Sequence, residues 1–329
     1  MYKTNTSNYS GKSLFFSLSL FFVGYIFILC AGYALAQPRA ASDPVLLIGD
    51  DHIFYTNAHW SPNGESIAFS LANHRGIWLS DHDGGNIRNL TMDEGAGFGF
   101  SWSPDGNFIL GRNSATRLWC RTRQVKIYHV LTNKEEVLFN NLRHLPSLPQ
   151  WQPDGSGVAV LISDELLLKG SDQLSAIKTN KPDKLVYFSD GKLFVGSLLT
   201  KSEEEIARFE GRNVFNISYS PCGTMVAFQV GGRGLFVADM ESGDTRQIGH
   251  GERASWMPDS KFLVVSVVTD DGHDITGSDL FAVDVSNGQY TPLTAHTEIM
   301  AMRPSVSPCG KWVLFEDPAA GNIYKMALE

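Results

Sequence analysis

Cysteine is scarce, with four residues in 329, at positions 30, 120, 222 and 309. None forms a C-x-x-C pair or stands at zinc-ligand spacing from a histidine, which excludes the common structural zinc modules. Only Cys120, Cys222 and Cys309 lie beyond residue 36, an odd and scattered set that makes no disulfide framework. Basic runs are lacking as well. The chain has 27 Lys and Arg against 35 Asp and Glu, a net charge of −8. A nucleic-acid partner needs a basic footprint and is excluded on that ground. There is no G-x-S-x-G elbow that follows a strand and opens a helix, so the hydrolase nucleophile of that kind is missing.

What the chain does have is glycine (31 residues), aromatics (11%) and an apolar content of 43%. These suit a large all-β core with many tight turns. The first 36 residues read differently from the rest. Lys3 and Lys12 precede an uncharged run from Leu14 to Ala36, which ends Ala34-Leu35-Ala36 before Gln37. That is the pattern of a cleaved export signal over 1–36. The run is also long enough to be an uncleaved anchor. Cys30 follows Leu29 rather than a small residue, which argues against a lipid anchor. Residues 37–43 are expected to be a short linker, and 44–329 a single domain. The expected location is periplasmic or secreted, with no stable membrane insertion after cleavage.

One short motif recurs six times: His59-Trp60-Ser61-Pro62-Asn63-Gly64, Ser101-Trp102-Ser103-Pro104-Asp105-Gly106, Gln150-Trp151-Gln152-Pro153-Asp154-Gly155, Ser218-Tyr219-Ser220-Pro221-Cys222-Gly223, Ser255-Trp256-Met257-Pro258-Asp259-Ser260 and Ser305-Val306-Ser307-Pro308-Cys309-Gly310. The prolines are 42, 49, 68, 37 and 50 residues apart. Self-similarity at such a period marks a propeller or a solenoid. The motif is a turn. Ser opens it, Pro presets φ at the second position, Asp or Asn tolerates the third, and Gly accepts a left-handed backbone. Ser260 departs from this. Short apolar strands follow each turn, and the pattern predicts four strands per repeat, the mark of an all-β six-bladed propeller. The last repeat lacks an outer strand. Pro44–Gly49 is expected to supply it and so close the ring. Asp164 to Lys184, in the 68-residue repeat, is expected to hold an insertion. A seventh, motif-free blade is the alternative, disfavoured because two blades need more than 68 residues at the other spacings.

These six turns resemble the repeats of the TolB-type, WD40-like propellers, over residues 44–329. The resemblance implies the fold but not the function, because the same repeat serves periplasmic binding propellers, peptidase propeller domains and oligogalacturonate-lyase-like enzymes. The additional N-terminal α/β domain of TolB has no counterpart here.

Loops entering each innermost strand should share one face. Four carry a histidine: His52, His144, His250 and His296. Converging imidazoles could hold a divalent metal, as the lyase resemblance would imply; the same residues also read as ordinary loop histidines. Arg143, Arg212, Arg253 and Arg303 lie in or beside these loops with Glu210, Glu252 and Glu298. They read as a rim that recognises an anion through arginine forks, or as solvated ion pairs of little energy. Asp270, Asp271, Asp274 and Asp279 form the densest acidic stretch, without calcium-loop spacing. The motif tryptophans are read as packing between blades, and Cys222 and Cys309 as turn residues standing for Asp. The reading is a monomeric binding module without a cofactor, for a protein, peptide or glycan of the envelope, its contacts made through Arg143, Arg212, Arg253, Arg303 and Glu252. The alternative is a metal-assisted carbohydrate-active enzyme built on His52, His144, His250 and His296.

Overall fold

The repeated turn works through its first and third residues. In the second repeat the Ser103 hydroxyl donates to Asp105 Oδ1 at 2.5 Å and accepts the Phe108 N–H at 2.9 Å, while Gly106 N–H donates to Ser103 O at 2.9 Å. One residue pair thus closes the turn and launches the next strand. Asn63 takes the place of Asp105 in the first repeat. Cys222 and Cys309 do so in later ones, with Sγ 3.2 and 3.3 Å from Ser220 and Ser307. Both cysteines are free thiols, as their turn role requires. Ser260 adopts φ 59°, the left-handed state that its neighbours leave to glycine. Its hydroxyl is held by the Cys222 N–H of the preceding turn at 3.1 Å, which helps to offset the strain.

The computed structural model describes residues 37–117, 120–163, 165–197 and 200–329. The expected export signal over 1–36 lies outside the described residues. The described chain is all β apart from turns, and its strands form seven sheets, not six. The first blade holds Tyr55–Trp60, Ser66–Leu71, Ile77–Asp81 and Arg88–Thr91, and the second Ser101–Trp102, Phe108–Arg117, Cys120–His129 and Glu135–Leu142. The third has Gln150–Trp151, Gly157–Ile162 and Glu165–Gly170, and the fourth Lys184–Ser189, Lys192–Ser197 and Glu203–Arg208. The fifth comprises Val214–Tyr219, Met225–Val230, Gly234–Asp239 and Thr245–Gly249, and the sixth Glu252–Trp256, Phe262–Asp270, Ile275–Asp284 and Tyr290–Pro292. The seventh joins Met302–Val306, Trp312–Asp317 and Asn322–Ala327 to Val45–Ile48.

The extra blade fits into the long repeat because two blades there are incomplete. The third blade has no outer strand and the fourth no regular innermost strand, so 68 residues suffice. Pro182 marks the missing turn. Each motif glycine backs onto the proline of the preceding turn: Gly106 onto Pro62, Gly155 onto Pro104, Gly310 onto Pro258. Gly223 backs instead onto Pro182, where a Cβ would come within 2.9 Å of the ring. Lys181-Pro182-Asp183-Lys184 is therefore a worn copy of the repeat, and the fourth blade continues from it.

The N-terminal strand closes the ring in the last blade, as expected, but that blade is the seventh rather than the sixth. Val45 pairs with Lys325 and Leu46 with Tyr324, antiparallel. Arg39 and Glu329 exchange two backbone hydrogen bonds of 2.9 and 3.0 Å, so residues 39–41 extend the same seam. Blades are bound to each other by apolar clusters that alternate from sheet to sheet. Ala227, Leu235 and Val237 of the fifth blade pack with Trp256, Leu263 and Val265 of the sixth. Burial of such side chains stabilises by about 1.5–3 kcal/mol each. The motif tryptophans do pack between blades: the indole N–H of Trp102, Trp151 and Trp256 donates to His59, Ser101 and Ser218 of the neighbouring innermost strand.

Candidate functional site

The innermost strands of the first, fifth, sixth and seventh blades each carry a β-bulge. The bulged residue stands three places before the motif aromatic or its replacement: Asn57, Asn216, Arg253 and Arg303, with φ 59°, 52°, 54° and 50°. Gly99 holds the same place in the second blade, at φ 65°. Glycine and asparagine tolerate this state; arginine has no such allowance and costs about 1–3 kcal/mol there. Two arginines held in it, in adjacent blades, mark this end of the ring as more than scaffold.

The bulge frees a backbone N–H, and in three blades a polar side chain of the preceding blade captures it. Arg253 N–H reaches Gln229 Oε1 at 3.2 Å, Arg303 N–H reaches Ser266 Oγ at 3.2 Å, and Asn57 N–H reaches Glu316 Oε2 at 2.7 Å. Gln229, Ser266 and Glu316 are all buried. Glu316 also accepts the Thr56 hydroxyl at 2.6 Å and pairs with the guanidinium of Arg303, which bonds Thr56 Oγ1 at 3.0 Å. Oε2 thus accepts both hydrogen bonds while Oε1 faces the Arg303 guanidinium, which is thereby neutralised.

Arg253 is not. Its half-buried guanidinium has no ion-pair partner among the described residues. Burial pulls it below its ordinary range, against the opposing effect of the exposed Glu252 carboxylate. Burial does the same to Arg303, reinforced by the Arg253 charge. The two cations reach the first blade, two sheets away from Arg253. Burial, then Arg253 and Arg303, hold His59 down to about 4 and also lower His74. His59 is therefore neutral at pH 7, with Nε2 3.2 Å from Asn57 Oδ1.

A cavity of about 220 Å³ opens beside this network, lined by Phe54, Tyr55, Thr56, His74, Arg303 and Glu316 among others. Its wall combines the Arg303–Glu316 pair, the His74 imidazole and the apolar Phe54 and Tyr55, with the Arg253 charge close enough to act on His74.

The residues expected from the sequence divide sharply. Arg253 and Arg303 come together at the mouth, with Glu252 beside them. Arg143 is an exposed loop residue, and Arg212 is exposed with Nη1 on Gly231 O at 2.8 Å. His52, His144, His250 and His296 are all exposed. His296 Nε2 lies 3.4 Å from Asp43 Oδ1, and the His250 carbonyl accepts Tyr290 OH at 2.5 Å. Among the described residues no three His, Cys, Asp or Glu side chains stand together as a metal would require. In the acidic hairpin Asp271 accepts the N–H of His273 and Asp274, at 2.9 and 2.8 Å, and so caps its own turn. The sequence reading passed over Thr56, Asn57, His59, His74 and Glu316. Aligning the six motifs and reading three places upstream would have found Asn57 and the outlying arginines.

No protein-family model matches the chain, and no curated protein sequence matches it. Solved structures do resemble it. The β-propeller domain of Cps50 (Swd1) from Myceliophteria thermophila is 12% identical, with a TM-score of 0.59, over 86% of this chain and 99% of that one. An oligogalacturonate lyase in complex with manganese is 16% identical, with a TM-score of 0.52, over 88% of this chain and 95% of that one. TolB from Acinetobacter baumannii is 15% identical, with a TM-score of 0.49, over 85% of this chain and 65% of that one. The first two establish the propeller fold; at such identities the likeness extends no further.

Proposed function

We propose that this propeller is an exported binding module whose mouth, around Arg253 and Arg303, receives an anionic group of a peptide, protein or glycan. The observation that carries this reading is a pair of arginines in a backbone state unsuited to arginine, one of them neutralised by Glu316 and the other without an ion-pair partner. Arg253, unlike Arg303, has no ion-pair partner to offset its burial and its repulsion with Arg303. An arriving carboxylate relieves both costs, through hydrogen bonds about twice as strong as neutral ones. Rigid strands hold the arginines in place, so little ordering is needed on binding. Export is read from the Leu14–Ala36 run and the small-residue site before Gln37.

The test is calorimetric titration of the purified protein with acidic oligosaccharides and carboxylate-bearing peptides, on the parent chain and on Arg253→Asn and Arg143→Ala. Binding that is weakened at least tenfold by the first change and untouched by the second is expected. Indifference to Arg253→Asn would remove the mouth from the account. Turnover of an acidic oligosaccharide, together with a stoichiometric divalent ion in elemental analysis, would replace the binding reading with a metal-assisted enzyme using residues such as His52, His144, His250 and His296.

A further inference from the structure

The mouth has two unlike sides. Asn57, Arg253 and Arg303 occupy the bulge position on one side. Across the ring, the second, third and fifth blades carry Phe98, Leu148 and Phe215 at or next to that position. These three remain 39%, 38% and 43% exposed, Phe98 and Leu148 in the loops that enter the innermost strands and Phe215 within one. The two sides meet at His74. Its ring lies edge-on to Phe98 with centroids 5.2 Å apart, and it lines the cavity that Arg303, Phe54 and Tyr55 also line. The Arg112 guanidinium covers Phe98 from 4.6 Å. Through His74 the apolar surface reaches a cavity walled by the Arg303–Glu316 pair, with the Arg253 charge near enough to act on the same imidazole.

The geometry points to the C-terminal end of a peptide chain as the occupant, its terminal carboxylate on Arg253 and its last, apolar side chain against Phe54, His74 and Phe98. This rests on the reading of the mouth as an anion site and narrows it. Charge supports a single carboxylate: of the two bulge arginines Arg303 is neutralised by Glu316 and Arg253 is left, and the exposed Glu252 stands close enough to repel a second negative group. A polyanion would meet Glu252 and a chain of net charge −8. Size supports a chain end. A cavity of about 220 Å³ is below the roughly 300–1,000 Å³ of drug-sized ligand sites, and it suits one side chain rather than a larger ligand. Apolar contact next to a fixed guanidinium fork is how a main-chain terminus is told from a free inorganic anion.

The experiment is titration calorimetry of the full chain with acetyl-Gly-Gly-Phe as free acid, the same peptide as its C-terminal amide, acetyl-Gly-Gly-Asp as free acid, and trigalacturonate. The free-acid Phe peptide is expected to bind at least tenfold more tightly than the amide and than the Asp peptide. Arg253→Asn should lower that affinity at least tenfold, and Phe98→Ser several-fold. Asparagine already occupies this position in two other blades, so the variant keeps its fold, and an unchanged or raised thermal midpoint verifies that. Equal binding of acid and amide would overturn the inference. So would trigalacturonate binding that depends on Arg253 while the Phe peptide fails, a result that leaves the anion site standing. If no anion binds, or none depends on Arg253, both readings fall.

Discussion

Glu316 accepts the main-chain N–H of Asn57 at 2.7 Å, across the seam between the last blade and the first. The same carboxylate holds Thr56 and Arg303, so one buried group ties the closure of the ring to the candidate site. Removing it strands the Arg303 guanidinium beside a freed hydroxyl and a freed N–H. Glu316→Ala is expected to cost about 2–4 kcal/mol, below the full cost of breaking a buried pair because Arg303 is partly exposed. Glu316→Gln should cost less, since an acceptor remains. Urea unfolding measures both; a loss within 0.5 kcal/mol for Ala would show the network to be idle.

Arg253→Asn is expected to stabilise the free protein by about 1 kcal/mol, because it relieves a left-handed arginine and the repulsion with Arg303. The thermal midpoint should rise while anion binding falls. A protein that trades stability for binding must behave this way. A drop in midpoint would mean that the guanidinium has a structural role instead.

How much of this was legible in the sequence follows from the range of the forces involved. The turns were legible because Ser103, Pro104, Asp105 and Gly106 act on one another within four residues. The closing strand was legible because the final repeat visibly lacked one. The seventh blade was not, since Lys181-Pro182-Asp183-Lys184 keeps the proline and aspartate but has lost the serine, the glycine and a regular innermost strand. Arg253 and Arg303 were legible as loop charges, whereas their shared bulge only shows when the repeats are aligned upstream of the motif. Glu316 stands next to last in the apolar strand Trp312–Asp317 and, beside Asp317, looks like part of a solvent-facing terminus. Its burial depends on Thr56, 260 residues away.

The Cys222 thiol is raised by burial but lowered further by hydrogen bonds to Ser220, Ser260 and Thr224, which bring it down to about 6. It is exposed, so it should be largely thiolate at pH 7 and alkylate before Cys309. Peptide mapping after brief iodoacetamide treatment measures the order. Ser220→Ala should slow labelling at pH 7 by moving the thiol back towards its ordinary value. Cys309 is also lowered, by its bond to Ser307, so equal labelling of both cysteines would mean that the added Ser260 and Thr224 contacts of Cys222 do not set its reactivity.

His59 gives the fold a defined acid sensitivity. Burial, followed by Arg253 and Arg303, lowers it from the ordinary 6.5 to about 4. Between those values the unfolded chain carries a proton on this histidine that the folded chain refuses. Stability contributed by the neutral ring is therefore present above pH 6.5 and is lost as the pH falls towards 4. The shift corresponds to about 3 kcal/mol at most, at roughly 1.4 kcal/mol per unit. Replacing Arg253 by Asn removes one of the two cations, so it should flatten this dependence, whereas Arg143→Ala should not. Thermal midpoints of parent and variants at pH 7 and pH 5 measure it.

The seam between the two chain ends makes the last prediction. Ile48 is 3% exposed and pairs with Ile323, whereas Val45, three residues earlier in the same strand, is 64% exposed. Ile48 packs with Ala58, Trp60 and Phe69 of the first blade and Leu314 of the seventh, so its side chain bonds two sheets to the closing strand. Ile48→Ala should cost about 2–4 kcal/mol through lost burial and the cavity left behind. Val45→Thr should stay within about 0.5 kcal/mol. Because Val45–Ile48 is held to Asn322–Ala327 by strand pairing, the Ile48 variant should also lose hydrogen-exchange protection in Asn322–Ala327 before other strands. Uniform loss across all seven blades would mean that the ring opens as one unit, and that the seam is no weaker than any other joint.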